Sequence, residues 1–174
     1  MYKLLAIIGQ AGSGKDTLLQ NVLHTYSDKL HEIVSYTTRP PREGEVDGIN
    51  YHFISNDDFT EMTLDGKMLE TACFNDWMYG TAEGSLVEDK INIGVFNPAG
   101  IRSLMEYDDI INLKVVYVRV ADKERLLRQL HREDNPDVDE AIFRSIHNVN
   151  VNTMVGYRID GVHHLFTEDY QKKE

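Results

Sequence analysis

Gly9-Gln10-Ala11-Gly12-Ser13-Gly14-Lys15 decides the fold, because this stretch satisfies the pattern G-x-x-x-x-G-K. It follows an apolar run, residues 3–8, that predicts a buried strand, and it precedes residues 17–26, whose apolar spacing predicts a helix. In that setting glycines let backbone amides wrap round a phosphate, and the helix adds its positive end. The lysine then faces the β- and γ-phosphates as a catalytic cation. The predicted contacts of this loop with the phosphates of the donor nucleotide come from Gly9, Gln10, Ala11, Gly12, Ser13, Gly14, Lys15, Asp16 and Thr17.

The residue after the lysine departs from the motif, since Asp16 stands where serine or threonine is usual. The usual hydroxyl ligates Mg²⁺, and a carboxylate can hold this hard cation directly or through water. The same negative charge can also repel phosphate, which makes Thr17 a second candidate for a phosphate contact. We expect Mg²⁺ as the cofactor, with Asp16 as its candidate protein ligand.

Composition and charge limit the class of protein. The chain has 174 residues with 41% hydrophobic and 27% charged residues, as expected for one soluble globular domain. A net charge of −11 argues against binding long nucleic acid but not against binding nucleotides. The one cysteine, Cys73, permits no internal disulfide and is expected as a buried strand residue. The early apolar run is too short to span a membrane, so we expect a cytoplasmic protein.

Strand and helix patterns alternate along the chain. Strands are predicted near residues 3–8, 32–36, 51–54, 68–74, 91–96 and 113–120. Helices are predicted over residues 17–26, 55–66, 81–89, 122–132 and 137–150, and a further helix begins at the Asn97-Pro98 cap. A capping box at residues 55–58 opens the second of these helices, and Asp122 is the predicted cap of the fourth. The alternation predicts a three-layer α/β fold with a mainly parallel sheet covered on both faces.

A second motif, SYTTRPPREGEVDGINYHF, occupies residues 35–53. Arg39 and Arg42 lie three positions apart in its polar loop, and two guanidinium groups can bracket a dianionic phosphate. Tyr51 and Tyr79 can each give a hydroxyl to the same phosphate. The alternative interpretation is a solvated basic loop with two structural tyrosines.

Residues 35–53 resemble the GMP-binding segment of guanylate kinases, whose pattern runs S-x-T-T-R-x-P-R-x-G-E-x-x-G-x-x-Y-x-F. Glu70 and the cluster Tyr79-Gly80-Thr81 match that family's E…Y-G-[ST] spacing, and the resemblance runs from residue 1 to about residue 149. It implies a P-loop kinase that transfers the γ-phosphoryl of ATP to GMP or dGMP. The single domain, residues 1–174, would then divide into a core, a GMP-binding region and a helical lid. Their approximate bounds are 1–34 with 90–174 for the core, 35–89 for the GMP-binding region and 125–144 for the lid.

The resemblance also implies which residues hold GMP: Ser35, Arg39, Arg42, Glu45, Tyr51, Glu70, Tyr79, Thr81 and Asn97. Guanine presents N1–H and N2–H₂ donors on one edge, and a single carboxylate, here Glu70, can accept both. Ser35 and Thr81 would supply hydroxyl contacts to the base. The alternative for Glu70 is a solvent-facing strand residue.

Arginines surround a polar break at residues 133–137, and such a break suits a lid that closes over phosphates. Arg128 and Arg132 match the lid arginines of guanylate kinases by spacing, and Arg144 matches a further one across a slightly longer lid. Their implied role is to neutralise charge on the transferring group. Arg125 is instead expected on an exposed helix face, forming i,i+4 ion pairs.

One departure from the family leaves alternatives open. Guanylate kinases usually show D-x-D after the strand at residues 91–96, and here Val95 and Asn97 occupy those positions. The first alternative is therefore a deoxynucleoside monophosphate kinase of shifted base specificity. The second is a non-catalytic guanylate-kinase-like binding module, although such modules typically degrade the phosphate loop, which is intact here. A GTPase switch is disfavoured because no N-K-x-D-type motif occurs.

Overall fold

The computed structural model describes residues 1–131 and the backbone of residues 162–166. The strands are β1 (Tyr2–Gly9), β2 (Leu30–Glu32), β3 (Tyr36–Thr37), β4 (His52–Phe53), β5 (Met68–Phe74), β6 (Trp77–Ala82), β7 (Ile91–Val95), β8 (Ile111–Arg119) and β9 (Val162–Phe166). The helices are α1 (Lys15–Thr25), α2 (Asn56–Leu64), α3 (Pro98–Leu104) and α4 (Asp122–Leu130). Short 3₁₀ turns follow β6 at Glu83–Ser85 and α3 at Met105–Tyr107.

The central sheet has the strand order β2-β7-β1-β8-β9, and every pairing in it is parallel. In register, Ala6 of β1 lies between Gly94 of β7 and Val115 of β8. Parallel strands are covered on both faces, which explains why residues 4–8 of β1 are all apolar and do not alternate with polar residues.

Two apolar clusters lie on opposite faces of this sheet. The even-numbered β1 residues Leu4 and Ile8 pack with Ile101 of α3. Ile7 points the other way and packs with Leu19 of α1. Successive side chains of a strand point to opposite faces, so α1 and α3 cover the two sides. The predicted three-layer α/β class with a parallel sheet is confirmed.

A second, smaller sheet has the order β4-β3-β6-β5 and lies within residues 35–89. β3 and β4 pair in parallel, while β6 is antiparallel to both β3 and β5. Phe59 of α2 packs on this sheet with Met68 and Ala82. Leu69, next to Met68 in β5, joins the α3 side of the central core. β5 therefore links the small sheet to the central one.

Two expectations about this region are wrong. The helix predicted over residues 81–89 is absent from the described structure, where β6 runs to Ala82 and only the 3₁₀ turn Glu83–Ser85 follows. At Thr81 and Ala82, antiparallel pairing with β5 satisfies the backbone and overrides the local helical pattern. Cys73, expected to be buried, is exposed near the end of β5. The helix predicted at 137–150 lies outside the described residues.

Two local capping signals are confirmed. Ser55 is the N-cap of α2, and its Oγ accepts a hydrogen bond from the Asp58 amide at 3.1 Å. Asn97 is the N-cap of α3, and Pro98 occupies the first turn. The cap predicted at Asp122 is displaced by one residue, since Ala121 is the N-cap of α4 and Asp122 lies in its first turn.

Candidate active site

The phosphate-binding loop connects the carboxyl end of β1 to the start of α1. Its backbone takes left-handed values at Gly12 (φ +75°) and Gly14 (φ +81°), and Gly14 is the N-cap of α1. The Ser13 amide donates to the Gln10 carbonyl at 3.1 Å, which closes the turn. A turn of this kind at a helix N-terminus presents successive backbone amides to an anion. The loop therefore has the geometry that the motif predicts.

The side chains next to the loop supply its charges. Lys15 and Asp16 open α1, and Asp16 is exposed in the first turn. Within the described residues, no group of three or more His, Cys, Asp or Glu side chains is placed to hold a metal ion. Mg²⁺ at phosphate sites needs only one or two carboxylates, because phosphate oxygens and water complete its octahedron. A lone Asp16 beside the loop fits that donor set.

Helix α4 brings Arg128 to the loop. One terminal nitrogen of Arg128 lies 3.6 Å from the position that a Cβ on Gly14 would occupy. Its Nε donates to Glu124 Oε1 at 3.0 Å, one turn earlier on the same helix. The guanidinium group is thus held beside the loop with part of its surface open. The other two lid candidates, Arg132 and Arg144, lie outside the described residues.

Arg125 contradicts the expectation of an exposed helix face. Only 5% of the residue is exposed, and its guanidinium group donates to the Ala11 carbonyl of the loop at 3.1 Å. A second nitrogen donates to Asp122 Oδ1 at 2.7 Å, so its ion pair spans three residues rather than four. The error arose because charge patterning does not reveal that α4 packs on the loop.

The two arginines of the second sequence motif, Arg39 and Arg42, both form hydrogen bonds with Glu45. Arg39 donates to both Glu45 oxygens, at 2.8 and 2.9 Å, with its side chain 9% exposed. The Arg42 amide donates to Glu45 Oε2 at 2.7 Å, while the Arg42 side chain belongs to an exposed residue. The Arg39 hydrogen bonds hold the pKa of Glu45 below its usual value, and Glu45 in turn raises the pKa of Arg39. Glu45 therefore contacts the arginine that the sequence assigns to phosphate.

Two tyrosines line the same cluster. The Arg39 guanidinium carbon lies 5.5 Å from the centre of the Tyr51 ring, and Tyr51 and Tyr79 meet edge to face at 6.0 Å. Burial is the main cause that raises the pKa of Tyr51; the neighbouring Tyr79 and the carboxylates of Asp16 and Glu45 act in the same direction, and the positive charge of Arg39 opposes them. Tyr51 therefore keeps its proton and remains a hydrogen-bond donor.

A chain of polar side chains ends at Glu70. Ser35 Oγ lies 3.4 Å from Thr81 Oγ1, and the Thr81 hydroxyl donates to Glu70 Oε1 at 2.9 Å. Thr81 is fully buried on β6, directly opposite Glu70 on β5. Burial raises the pKa of Glu70, and hydrogen bonds from the Thr81 side chain and backbone oppose that shift. The three predicted base contacts thus lie together.

The first turn of α3 lies against Glu70. A Cβ on Gly100 would come within 2.8 Å of Glu70 Oε2. Asn97, predicted to bind GMP, uses Oδ1 to accept the Gly100 amide at 2.7 Å. The helix cap therefore uses one of the two lone pairs of this oxygen. Sequence reasoning did not single out Gly100, and its glycine identity in a first helical turn was the only available signal.

Comparisons with known proteins decide the family. The guanylate kinase family model matches residues 1–153. The chain belongs to the guanylate kinase family. It is 32% identical over 165 residues to the guanylate kinase of Gloeobacter violaceus, covering 92% of this chain and 78% of that protein. Shorter matches, both 45% identical, span 40% and 41% of the guanylate kinases of Schizosaccharomyces pombe and Clostridioides difficile.

A solved guanylate kinase from Anaplasma phagocytophilum shares the fold. Its TM-score is 0.64 at 20% identity, and the match covers 95% of this chain and 78% of that one. Compared with the acid pattern D-x-D of guanylate kinases, Val95 ends β7 here and Asn97 caps α3. In the part of the chain that the structure describes, no helix is both long and apolar enough to cross a membrane.

Proposed function

We propose that this chain transfers the γ-phosphoryl group of ATP to GMP or dGMP, giving ADP and GDP or dGDP. The observation that carries the acceptor assignment is Glu70, a partly buried carboxylate held by the Thr81 hydroxyl at 2.9 Å. When ionised it accepts the N1–H and N2–H₂ donors of guanine. Adenine presents an acceptor at N1 on that edge, so a carboxylate there selects against it.

The donor phosphates bind at the loop. Backbone amides of the residues between Gly9 and Thr17 bind the phosphates. Lys15 stabilises the negative charge that shifts between the β- and γ-phosphate groups during transfer. Arg128, beside Gly14, neutralises charge on the transferring group. Arg132 and Arg144 would add to this when the lid, proposed over residues 125–144, closes and excludes water.

The acceptor phosphate binds to the cluster of Arg39, Arg42, Tyr51 and Tyr79, with Glu45 orienting Arg39 through its two hydrogen bonds. An oxygen of that phosphate attacks the γ-phosphorus in line, and the bond from the γ-phosphorus to the ADP oxygen breaks. No general base is needed, because the attacking oxygen is already ionised. The rate then depends on positioning and charge neutralisation.

We propose Mg²⁺ as the divalent cofactor, with Asp16 as the residue that would hold it. When bound, Mg²⁺ neutralises charge on the β- and γ-phosphate oxygens. Asp16 is exposed in the first turn of α1, so its carboxylate can reach the metal directly or through water.

The regional division is part of the same proposal: a core at residues 1–34 and 90–174, and a GMP-binding region at 35–89. The small sheet supports the latter, because it carries Thr81 and Glu70 on adjacent strands. We also propose a cytoplasmic location, supported by the single cysteine of the sequence.

A coupled assay of ADP release tests the proposal, with ATP and Mg²⁺ and one acceptor at a time: GMP, dGMP, AMP, CMP, UMP or dTMP. Turnover confined to GMP and dGMP is the expected result. Turnover spread over several bases would overturn the base assignment and point to a monophosphate kinase of shifted specificity. Binding of GMP without turnover of any acceptor would instead indicate a binding module.

A further inference from the structure

Arg125 is a buried cation that touches the phosphate-binding loop from helix α4. Its side chain is 6% exposed, and it donates to the Ala11 carbonyl at 3.1 Å and to Asp122 at 2.7 Å. We propose that Arg125 is a positioning residue for the donor nucleotide: it fixes the loop in its phosphate-binding conformation. This inference rests on the proposed function, in which the loop binds ATP.

The backbone of Arg125 packs against the next residue of the loop, Gly12. A Cβ on Gly12 would lie 2.7 Å from the Arg125 carbonyl oxygen and 3.3 Å from the Arg125 Cα. Gly12 also has φ +75°, a value that other residues rarely adopt. Arg125 therefore contacts two successive loop residues, Ala11 with its side chain and Gly12 with its main chain. This double contact ties the loop to one turn of α4.

The Ala11 carbonyl explains why an arginine is suited to this place. A loop that directs its amides towards a phosphate has carbonyls that need other partners, and a buried carbonyl without one is costly. The guanidinium group supplies a charge-assisted donor to that carbonyl. The hydrogen bond thus stabilises the loop conformation that exposes the amides.

The charge of Arg125 is incompletely neutralised. Its ion-pair partner, the Asp122 side chain, is 87% exposed, so water screens the negative charge more than the buried positive one. A positive charge behind the loop lowers the electrostatic cost of gathering the phosphates of ATP there. Arg125 acts on the phosphates through the loop and the local field, and so it is not a catalytic residue.

The same helix carries Arg128 three positions later, and residues at that spacing lie on one side of a helix. Arg128 is 3.6 Å from the Cβ position of Gly14, whereas Arg125 contacts Ala11 and Gly12. By holding α4 to the loop, Arg125 keeps Arg128 in register with the phosphates.

Calorimetric titration of a non-hydrolysable ATP analogue and of GMP, separately, tests this role in the full chain. Arg125→Met keeps most of the buried volume but removes the charge and the donors. We expect it to weaken the ATP analogue about tenfold, as for loss of a charged hydrogen bond, with GMP binding changed less than about twofold. Turnover should show a raised KM for ATP with a smaller change in kcat. The matched control is Arg119→Met, which removes an exposed charge at the end of β8 and should leave both affinities unchanged.

A purely structural role predicts different data. A lower Tm with unchanged ATP affinity, or equal losses for ATP and GMP, would overturn the proposal. If Arg125→Met does not fold, Arg125→Lys decides: a lysine cannot serve Ala11 and Asp122 with a planar fork, so ATP affinity should still fall by about threefold. Wild-type affinity in that variant would contradict the role. If the wild-type protein binds ATP but does not phosphorylate GMP, the proposed function is refuted. The effect of Arg125 on ATP affinity can still be measured in that case, because it does not depend on turnover.

Discussion

The carboxylate of Glu70 lies directly against Gly100: a methyl group on that glycine would come within 2.8 Å of Glu70 Oε2. The two residues lie on elements that pack on different sheets. Glu70 is on β5 of the small sheet, whereas Gly100 is in α3, which covers the central sheet. The absence of a side chain at residue 100 thus sets the position of the proposed guanine-binding carboxylate.

Gly100→Ala should therefore move Glu70 without damaging the fold. The atom in conflict is the end of a flexible side chain, and alanine favours a helix over glycine by about 1 kcal/mol. We expect KM for GMP to rise about tenfold, on the scale of one lost charged hydrogen bond, while Tm stays equal or rises. Steady-state kinetics and thermal melting measure both quantities.

Gly84→Ala is the control for this substitution, because a Cβ there has no heavy atom within 4 Å among the residues described. It should leave KM for GMP unchanged. A normal KM in Gly100→Ala would mean that Glu70 can shift without affecting the acceptor.

Glu70 should also give GMP binding a characteristic pH dependence. Burial raises its pKa above the usual 4.5, so it takes up a proton at a higher pH than an ordinary glutamate. The protonated acid cannot accept both guanine donors, and GMP affinity should fall as the pH drops through the raised pKa. Titration calorimetry across that range measures the effect, and Glu70→Gln should bind GMP weakly and without this dependence.

The same shift has a consequence for stability. Because the folded state binds this proton more readily than the unfolded state, the Glu70 contribution to the free energy of unfolding decreases as the pH rises from the unfolded to the folded pKa. Glu70→Gln should therefore be slightly more stable than wild type above that window, by less than about 1 kcal/mol. Denaturant unfolding at two pH values checks this, and equal destabilisation at both would contradict it.

Glu45 is expected to orient Arg39 for the acceptor phosphate. Its carboxylate accepts two Arg39 hydrogen bonds and the Arg42 amide, and Glu45→Gln would place an amide NH₂ group against a guanidinium donor. GMP affinity should fall about tenfold, with ATP affinity unchanged, as measured by calorimetry. Glu43→Gln, an exposed change in the same loop, is the control. Tighter GMP binding in Glu45→Gln would show that Glu45 competes with phosphate for Arg39.

Asp16 is expected to set the metal requirement. Asp16→Ser restores the usual hydroxyl but removes a charged ligand, so the Mg²⁺ concentration for half-maximal rate should rise about threefold to tenfold. The measurement is turnover as a function of Mg²⁺ at fixed ATP. Asp28→Ser removes an exposed charge after α1 and should leave the curve in place. Full Mg²⁺-dependent activity at unchanged Mg²⁺ in Asp16→Ser would remove Asp16 from the proposed metal site.

Features that depend on neighbouring residues in the chain could be predicted from the sequence. The strand, glycine loop and helix that begin with β1 are a local pattern, and so are the caps at Ser55 and Asn97, where a side chain binds a backbone amide three residues later. The family pattern also selected Ser35, Thr81 and Glu70, which lie together in the structure. The sequence alone therefore determined the fold class, the loop and most of the candidate site.

Only tertiary packing decided the rest, because burial and close approach depend on elements that are distant in the chain. The helix predicted over residues 81–89 does not start at Thr81, because β5 offers backbone partners to the last two residues of β6, Thr81 and Ala82. The sequence pattern places Arg125 on the surface. In the structure it is buried, because α4 packs on a loop that lies 114 positions earlier in the chain. The sequence does not show why residue 100 is a glycine. The structure does, because the Glu70 side chain of the small sheet occupies the space that a side chain at residue 100 would need.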